Sequence, residues 1–370
     1  MNTLTLRQQI QDQRLLPLVE AVEHGQRLCF EDGLLLYETS DLTGVGALAN
    51  HVRRRMHGKM AYFVKSRRLS VTNICQTHCQ FCAFHVAQDD PKGYVLSAEK
   101  IIADLQLEQN QGIAELHITS GHNPTLTIDY FEELFSAIKK HFPTIRIKAF
   151  TMVEIDFYAN NSNISVEEFL DRCLEVGLES CPGGGAEIFD AGIRKQLCGD
   201  KQSAQTWLRT ARICHQKGIS TNCTMLYGHI EKAYHRVDHL LRLRQLQDES
   251  LANGQNGFLA YIPLAFQIGC NELGRLHKIN ETTGAQDLRE IAVARLLLDN
   301  IPHIKAYWVM ITPGIAQVAL SYGADDLDGT AFDEVIAHTA GAKTPDGLST
   351  SHLCRLITEA GFEPVETNMV

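Results

Sequence analysis

No apolar run in this chain of 370 residues reaches the ~18–20 residues that cross a bilayer. Its opening stretch, MNTLTLRQQIQDQR, is polar and charged, so no secretory leader is expected there. Positive charge is in short supply: 34 Lys and Arg stand against 44 Asp and Glu, a net charge of −10. That balance argues against a general nucleic-acid binder, which would present a basic surface. No repeat with a period of ~20–50 residues and no low-complexity segment is present, which excludes solenoids and arrays. Eleven cysteines could suggest disulfides, but a chain of this length is no small secreted scaffold. Reduced thiols in a cytoplasm are the expectation.

Three of those cysteines, Cys75, Cys79 and Cys82, lie in NICQTHCQFCAF and are close enough in sequence for one loop to wrap a single metal centre. Structural zinc sites and ordinary ferredoxin-type clusters need a fourth ligand. This loop offers three thiolates and then turns apolar through Phe81, Ala83 and Phe84. A 4Fe-4S cluster held by three cysteines keeps one iron open for a chelating ligand such as S-adenosylmethionine (SAM), whose cleavage to a radical is cofactor chemistry. A zinc knuckle completed by His78 or His85 is the competing metal reading. His78 falls between two of the cysteines, however, and no second Cys-x2-Cys half follows downstream.

Residues 1 to 60 read as a helical extension, with apolar positions of LLPLVEAVEHG and LTGVGALANHVRRRMHG at helical spacing. From 61 to 370 short β-type runs alternate with helical stretches. The runs are LSVTNI (69–74), IAELHITS (113–120), TIRIKAFTM (144–152), LESCPG (178–183), ISTNCTML (219–226), GFLAYIPL (257–264) and IKAYWVMI (304–311), with a short last one near GADDL (323–327). Helical segments such as SAEKIIADLQLEQNQG and SVEEFLDRCLEVG lie between them. Regular βα alternation implies a parallel sheet. About eight strands favour an α/β fold of the TIM-like (βα)8 type, with a C-terminal extension and a doubly wound sheet as the alternative. The active site of such a barrel lies at the C-terminal ends of its strands.

Those strand ends carry small and polar residues. Ser120-Gly121-His122 after the second run exposes backbone to a ligand. Glu154 follows the third, and Pro182-Gly183-Gly184-Gly185-Ala186-Glu187 the fourth. This glycine turn lacks the Lys-Ser/Thr of a P-loop and reads as room for a bulky ligand. Tyr227-Gly228-His229-Ile230-Glu231 and Ile262-Pro263-Leu264-Ala265-Phe266 end the fifth and sixth, the latter an apolar edge suited to adenine. Asp325, Asp326 and Asp328 cluster after the seventh. Of the histidines, His117, His122, His229, His303 and His338 could serve as acids or bases.

The pieces TNICQTHCQFCAF, PGGGAEIF, TMLYGHIE, LRQLQD, LDNIPHIKAYW and GADDLDGT together resemble radical SAM enzymes, and within them the aminofutalosine synthases of the futalosine route to menaquinone. The resemblance runs from about residue 30 to the C-terminus. It implies a radical SAM barrel holding one 4Fe-4S cluster on Cys75, Cys79 and Cys82. SAM would be a co-substrate contacted by Phe81, Ser120, Gly121, Glu154, Glu187, Tyr227, Gly228, Glu231, Ile262 and Pro263. It further implies addition of the 5′-deoxyadenosyl radical to the vinyl CH2 of 3-[(1-carboxyvinyl)oxy]benzoate. Aryl migration and loss of the carboxylate as bicarbonate would then give 6-amino-6-deoxyfutalosine. An aromatic dicarboxylate needs a cation or convergent donors, for which His122, Arg194 and Thr312 are candidates; Arg194 could equally pair with Asp190 one helical turn earlier. Reduced flavodoxin or a ferredoxin-type protein is the implied electron donor, and neither nucleic acid nor membrane is an expected partner.

Related families share the cysteine loop. Dehypoxanthine futalosine cyclases typically show Asn-Asp-Phe-Gly-Ser where this chain has Asp325-Asp326-Leu327-Asp328-Gly329; deazaflavin-forming synthases are similar in the same regions. Ser120 departs from relatives that often carry two adjacent glycines there. Outside enzymes, an iron-sulfur carrier or zinc-binding module is the alternative.

Overall fold

Seven parallel strands run side by side in chain order, and this order brings every strand end with a candidate site residue onto one rim. The computed structural model describes residues 5–107, 112–269 and 271–367. The strands of this sheet are β2 (Ser66–Leu69), β3 (Glu115–Ile118), β4 (Arg146–Ala149), β5 (Leu178–Cys181), β6 (Ser220–Tyr227), β7 (Phe258–Ala265) and β8 (His303–Ile304). A second sheet of three strands places β1 (Met60–Val64) between β10 (Glu363–Glu366) and β9 (Asp326–Gly329). The chain around β9 also spans the gap left by the seven strands. Lys305 bridges to Asp326, and Arg67 bridges to Phe332, with the Arg68 N–H donating to the Phe332 carbonyl at 2.8 Å. The eighth position of the barrel is thus held by single bridges rather than a long ladder.

The helices outside the sheet follow from local sequence. Val166–Glu175 starts at Ser165, whose side chain accepts from the Glu168 N–H, and buries Val166, Phe169, Leu170 and Cys173 on one face. Strands β6 and β7 are buried along almost their whole length, as strands covered on both faces must be. Among the N-terminal helices, Leu42–His57 packs on Gly284–Leu297. There buried Arg53 donates to the carbonyls of Gly58 at 2.6 Å and Ala324 at 3.2 Å. No helix among the described residues is long and apolar enough to cross a membrane.

Three strand expectations shift. Of LSVTNI only Leu69 is in a strand. The Thr72 hydroxyl donates to the Tyr94 carbonyl and the Asn73 amide to the Lys92 carbonyl, so side chains take the backbone groups a ladder would need. IKAYWVMI yields only His303–Ile304 before a helical turn at Trp308–Ile311, where the Trp308 indole donates to the Gly329 carbonyl at 2.8 Å. The strand expected near 323–327 is Asp326–Gly329, and one further strand, β10, follows it. The helix expected in SAEKIIADLQLEQNQG spans Ala98–Leu107; its residues 108–111 lie outside the described residues, as does Cys270.

The barrel interior is unusual in its lower half. Side chains alternate along a strand, and the inward positions here carry charge instead of the branched aliphatics common in such barrels. Lys148 on β4 meets Glu115 on β3 at 3.0 Å, and Lys305 beyond β8 meets Asp326 and Asp328 at 3.2 and 3.3 Å. All five are buried. The apolar core lies outside this ladder, between strands and helices.

Candidate active site

A cavity of about 300 Å³ opens above the ion ladder at the C-terminal ends of the strands, lined by the cysteine loop and the turns after β3, β4 and β5. The loop is pinned to its surroundings by backbone hydrogen bonds. The Gln76 N–H donates to the His122 carbonyl at 3.0 Å, Gln80 N–H to Leu197 at 2.8 Å, and Leu273 N–H to Gln80 at 3.0 Å. Glycine is required where the turn after β3 meets the loop, since a Cβ on Gly121 would lie 2.3 Å from the Ile74 carbonyl oxygen. The His122 N–H points at Cys75 Sγ at 3.2 Å.

All three thiols line this cavity. Cys79 is drawn down to about 7 by the Cys198 thiol beside it, with Lys201 adding to the effect, whereas burial pushes Cys75 and Cys82 up. The donor set suits a cubane better than one zinc ion. A tetrahedral zinc with Zn–S near ~2.3 Å holds its sulfurs within about 4 Å of each other. Among the described residues, the only three ligand-type groups with atoms all within 4.8 Å of one another are His57, His303 and Asp325. Those lie away from the cavity, and their Asp325 carboxylate is already held by Arg295. A four-iron cube takes one thiolate per corner and spaces them more widely. Neither histidine completes a knuckle: His85 Nδ1 faces the Cys82 carbonyl at 3.0 Å, and His78 is turned to solvent 3.8 Å from Asp200.

Glu154 ties two turns together. Its carboxylate accepts from the Ser120 N–H, the Thr151 N–H and the Thr151 hydroxyl at 2.8, 2.8 and 2.7 Å. Burial nevertheless pushes it up to about 7. Glu187, held at φ 48°, pairs with Lys201 at 2.7 Å. Burial opposes its charge, yet Lys201 holds it below the usual carboxylate range. The glycine turn is close packing more than spare room. A Cβ on Gly183 would lie 2.1 Å from the Asn222 carbonyl oxygen, and one on Gly184 2.7 Å from the Thr151 methyl.

The floor carries Arg68, His117, Tyr307, Asp328 and Glu334. Arg68 donates to His117 Nδ1 through one terminal nitrogen and to Asp328 through the other. The Tyr307 hydroxyl donates to Glu334 at 2.6 Å. Burial and the neighbouring Arg68 hold His117 neutral, well below its usual range. Asp328 is pulled down to about 2: burial opposes the charge, and Arg68 and Lys305 more than compensate.

The structure brings Cys75, Cys79, Cys82, Phe81, Ser120, Gly121, His122, Glu154, Glu187 and Ile262 to this one cavity. It does not bring the others. Tyr227 points outward and donates to Asp287 at 2.7 Å, because on β6 it is Thr224 and Leu226 that face in; Pro263 is likewise out of step with Ile262 and Leu264. Glu231 is taken up by the Gly228 and His229 N–H groups at 2.7 and 2.8 Å. Gly228 serves a tight turn at φ 87°, where a Cβ would meet Thr282 at 2.3 Å. Arg194, offered as a carboxylate partner, donates instead to the carbonyls of Ala186, Gly185 and Gln202 at 2.6–3.1 Å. Nor does it pair with Asp190, whose carboxylate caps the helix at Ile193 N–H. Thr312, at φ 74°, caps the helix Pro313–Ala319 through its side chain. Of the apolar edge expected after the sixth run, Leu264 and Phe266 also line the cavity, whereas sequence reading missed Arg68, Lys201, Thr224 and Leu226. Strand alternation could have found Thr224 and Leu226, but nothing local marks Arg68 and Lys201.

Comparison with known proteins agrees with this geometry. Residues 69–243 match the radical SAM superfamily, and residues 255–369 match the CofH/MqnC C-terminal region. The aminodeoxyfutalosine synthase of Thermus thermophilus is 46% identical, covering 96% of this chain and 95% of its own. A cyclic dehypoxanthine futalosine synthase from Halalkalibacterium halodurans is 35% identical over 94% of this chain and 92% of its own. The crystal structure of methylornithine synthase superposes with a TM-score of 0.71 at 17% identity, covering 94% of this chain and 96% of that one, and supports the fold. A cysteine loop over a strand-end cavity, and near-full-length similarity on both sides of it, place this chain among the radical SAM enzymes, in the family that contains the aminodeoxyfutalosine synthases.

Proposed function

We propose that the protein joins the adenosyl group of SAM to 3-[(1-carboxyvinyl)oxy]benzoate, consuming water and giving 6-amino-6-deoxyfutalosine, methionine and bicarbonate. The observation that carries this reading is one cavity lined by three loop thiols, by the Glu154-anchored turns and by a polar floor around Arg68 and His117, in a chain 46% identical to a protein with that activity in its name. Cys75, Cys79 and Cys82 would hold the cluster. When bound, the cluster supplies the electron that cleaves SAM to methionine and the 5′-deoxyadenosyl radical.

The chain's own residues bind, orient and exclude water. Glu154 fixes the Ser120 N–H and the Thr151 turn, so the backbone beside the cysteine loop is rigid before a ligand arrives. Lys201 balances negative charge next to Cys79 while holding Glu187. Phe81, Leu226, Ile262, Leu264, Phe266 and Met310 wall the cavity with apolar surface, which keeps water and hydrogen donors from a reactive carbon. Holding the alkene within reach of C5′ converts a bimolecular step into an intramolecular one. A flavodoxin or ferredoxin-type protein would deliver the electron.

The test is anaerobic reaction of the reduced, reconstituted enzyme with both substrates, followed by mass analysis of the adenosine-containing product. A covalent adduct formed in step with methionine supports the reading. Free 5′-deoxyadenosine as the stoichiometric product would overturn it in favour of hydrogen abstraction.

A further inference from the structure

The cavity floor holds donors with nothing to bind. Arginine has donors only, so His117 Nδ1 must accept the bond from Arg68, and the proton of the neutral ring sits on Nε2. That nitrogen makes no hydrogen bond among the described residues, and His117 lines the cavity. Thr119 lies two residues on and extends the ladder past β3, its N–H donating to the Leu69 carbonyl at 3.1 Å. Its side chain therefore faces the same way as that of His117. It also lines the cavity, and its hydroxyl has no partner within the described residues. Behind them, Arg68 is nine-tenths buried, and its Nε has no hydrogen-bond partner. The Glu334 carboxylate stands 3.6 Å from that Nε, an ion-pair contact beyond hydrogen-bond distance. Asp328 and Lys305 complete the surroundings of the guanidinium.

We infer that His117 and Thr119, backed by Arg68, form a carboxylate seat for the ring acid of the substrate, the end remote from the vinyl group. The inference rests on the functional reading above and says which way round the substrate lies. From β3 into the turn that follows it, the order from floor to rim is His117, Thr119, Gly121, and Gly121 is the residue packed against the cysteine loop. The chain climbs from His117 inside β3 to the turn at Gly121 beyond its end, and this climb separates the floor from the cluster side. The reacting CH2 must be near C5′ at the rim, and the carboxylate on the vinyl carbon is adjacent to it. The benzoate group is the one free to point down. Met310, Ile336 and Ala337 line the cavity with the floor residues and present apolar surface to the ring. Asp328 keeps Arg68 aligned without itself receiving the substrate.

The experiment compares the dicarboxylate with its analogue esterified at the ring acid, using kcat/KM for adduct formation. The wild type should favour the acid by about ten- to a hundredfold, as expected for hydrogen bonds to a charged group. His117→Leu should collapse that ratio towards one, mainly through KM for the acid. His117→Gln, which keeps an N–H donor and an acceptor for Arg68, should restore part of it. Thr119→Val, nearly isosteric, should reduce the ratio by a smaller factor. A merely structural role would lower both substrates equally and leave the ratio intact. An unchanged ratio in both His117→Leu and Thr119→Val overturns the seat while leaving adduct formation in place. Absence of adduct from the wild type overturns the functional reading and the seat with it.

Discussion

The two ends of the cavity are built on opposite plans. At the rim, the cysteine loop and the turns after β3 and β5 present thiols, backbone and glycines. At the floor, Arg68, Asp328 and Lys305, with the Glu115–Lys148 pair below, partner one another inside the barrel. The rim must receive groups the chain does not contain, so its chemistry is left open and its stability comes from hydrogen bonds behind the loop. The floor lies where water is excluded, and unpaired charge there is costly. Cluster binding and stability should therefore separate along the barrel axis.

The largest effect should come at the rim. Replacing Cys75, Cys79 or Cys82 with Ala should abolish adduct formation and bound iron, while the thermal midpoint of the metal-free protein barely moves. Iron analysis and circular dichroism on each variant check this. Loss of iron from Cys173→Ala, a buried cysteine far from the loop in sequence, would break the division.

The floor should respond in stability. Lys148→Ala leaves Glu115 buried and alone, a change that costs about 3–5 kcal/mol. The double variant Glu115→Leu/Lys148→Met should recover most of that loss, because removing both charges removes the desolvation penalty too. Denaturant melts of the single and double variants measure the coupling, and additive losses would show that the pair does not act as a unit.

Glu154 sits between the two regimes and should give a pH signature. Its folded value is raised from 4.5 to about 7, so the folded state keeps a proton that the unfolded chain releases. For a raised acid, stability falls as pH climbs from 4.5 to about 7 and levels off beyond, the reverse of a salt-bridged carboxylate. Glu154→Gln should flatten that slope, read as the difference in melting midpoint between wild type and variant across the window. A parallel pair of pH profiles would show that the proton is not held there.

The smallest effect on catalysis is expected at Arg194. Its guanidinium ties the Gly185 and Ala186 carbonyls to that of Gln202, so Arg194→Ala should lower stability by about 1–3 kcal/mol for the carbonyls left unpaired. KM for the dicarboxylate should stay where it is. A selective rise in KM would return Arg194 to the binding site.

What could be read in advance follows the range of the interactions. The cysteine loop was legible because its three thiols lie within eight residues and their spacing alone limits the metal chemistry they could support. Ser120, Gly121, Glu154 and Glu187 were legible as strand-end residues once the βα alternation was recognised. The strand-end rule failed for Tyr227 and Pro263, since being near a strand end does not say which face a side chain takes. Arg68 was invisible: in SRRL it reads as a surface cation, and its partner Asp328 is 260 positions away.

The sequence by itself determined the alternation of strands and helices, the side of the barrel that carries the chemistry and the three thiols. Those depend on local periodicity, capping and ligand spacing. Only the tertiary structure decided which charges meet inside the barrel and which donors remain free at its floor. Whether a buried Arg or His is a partnered support or an open binding group depends on what the rest of the chain brings within hydrogen-bond distance.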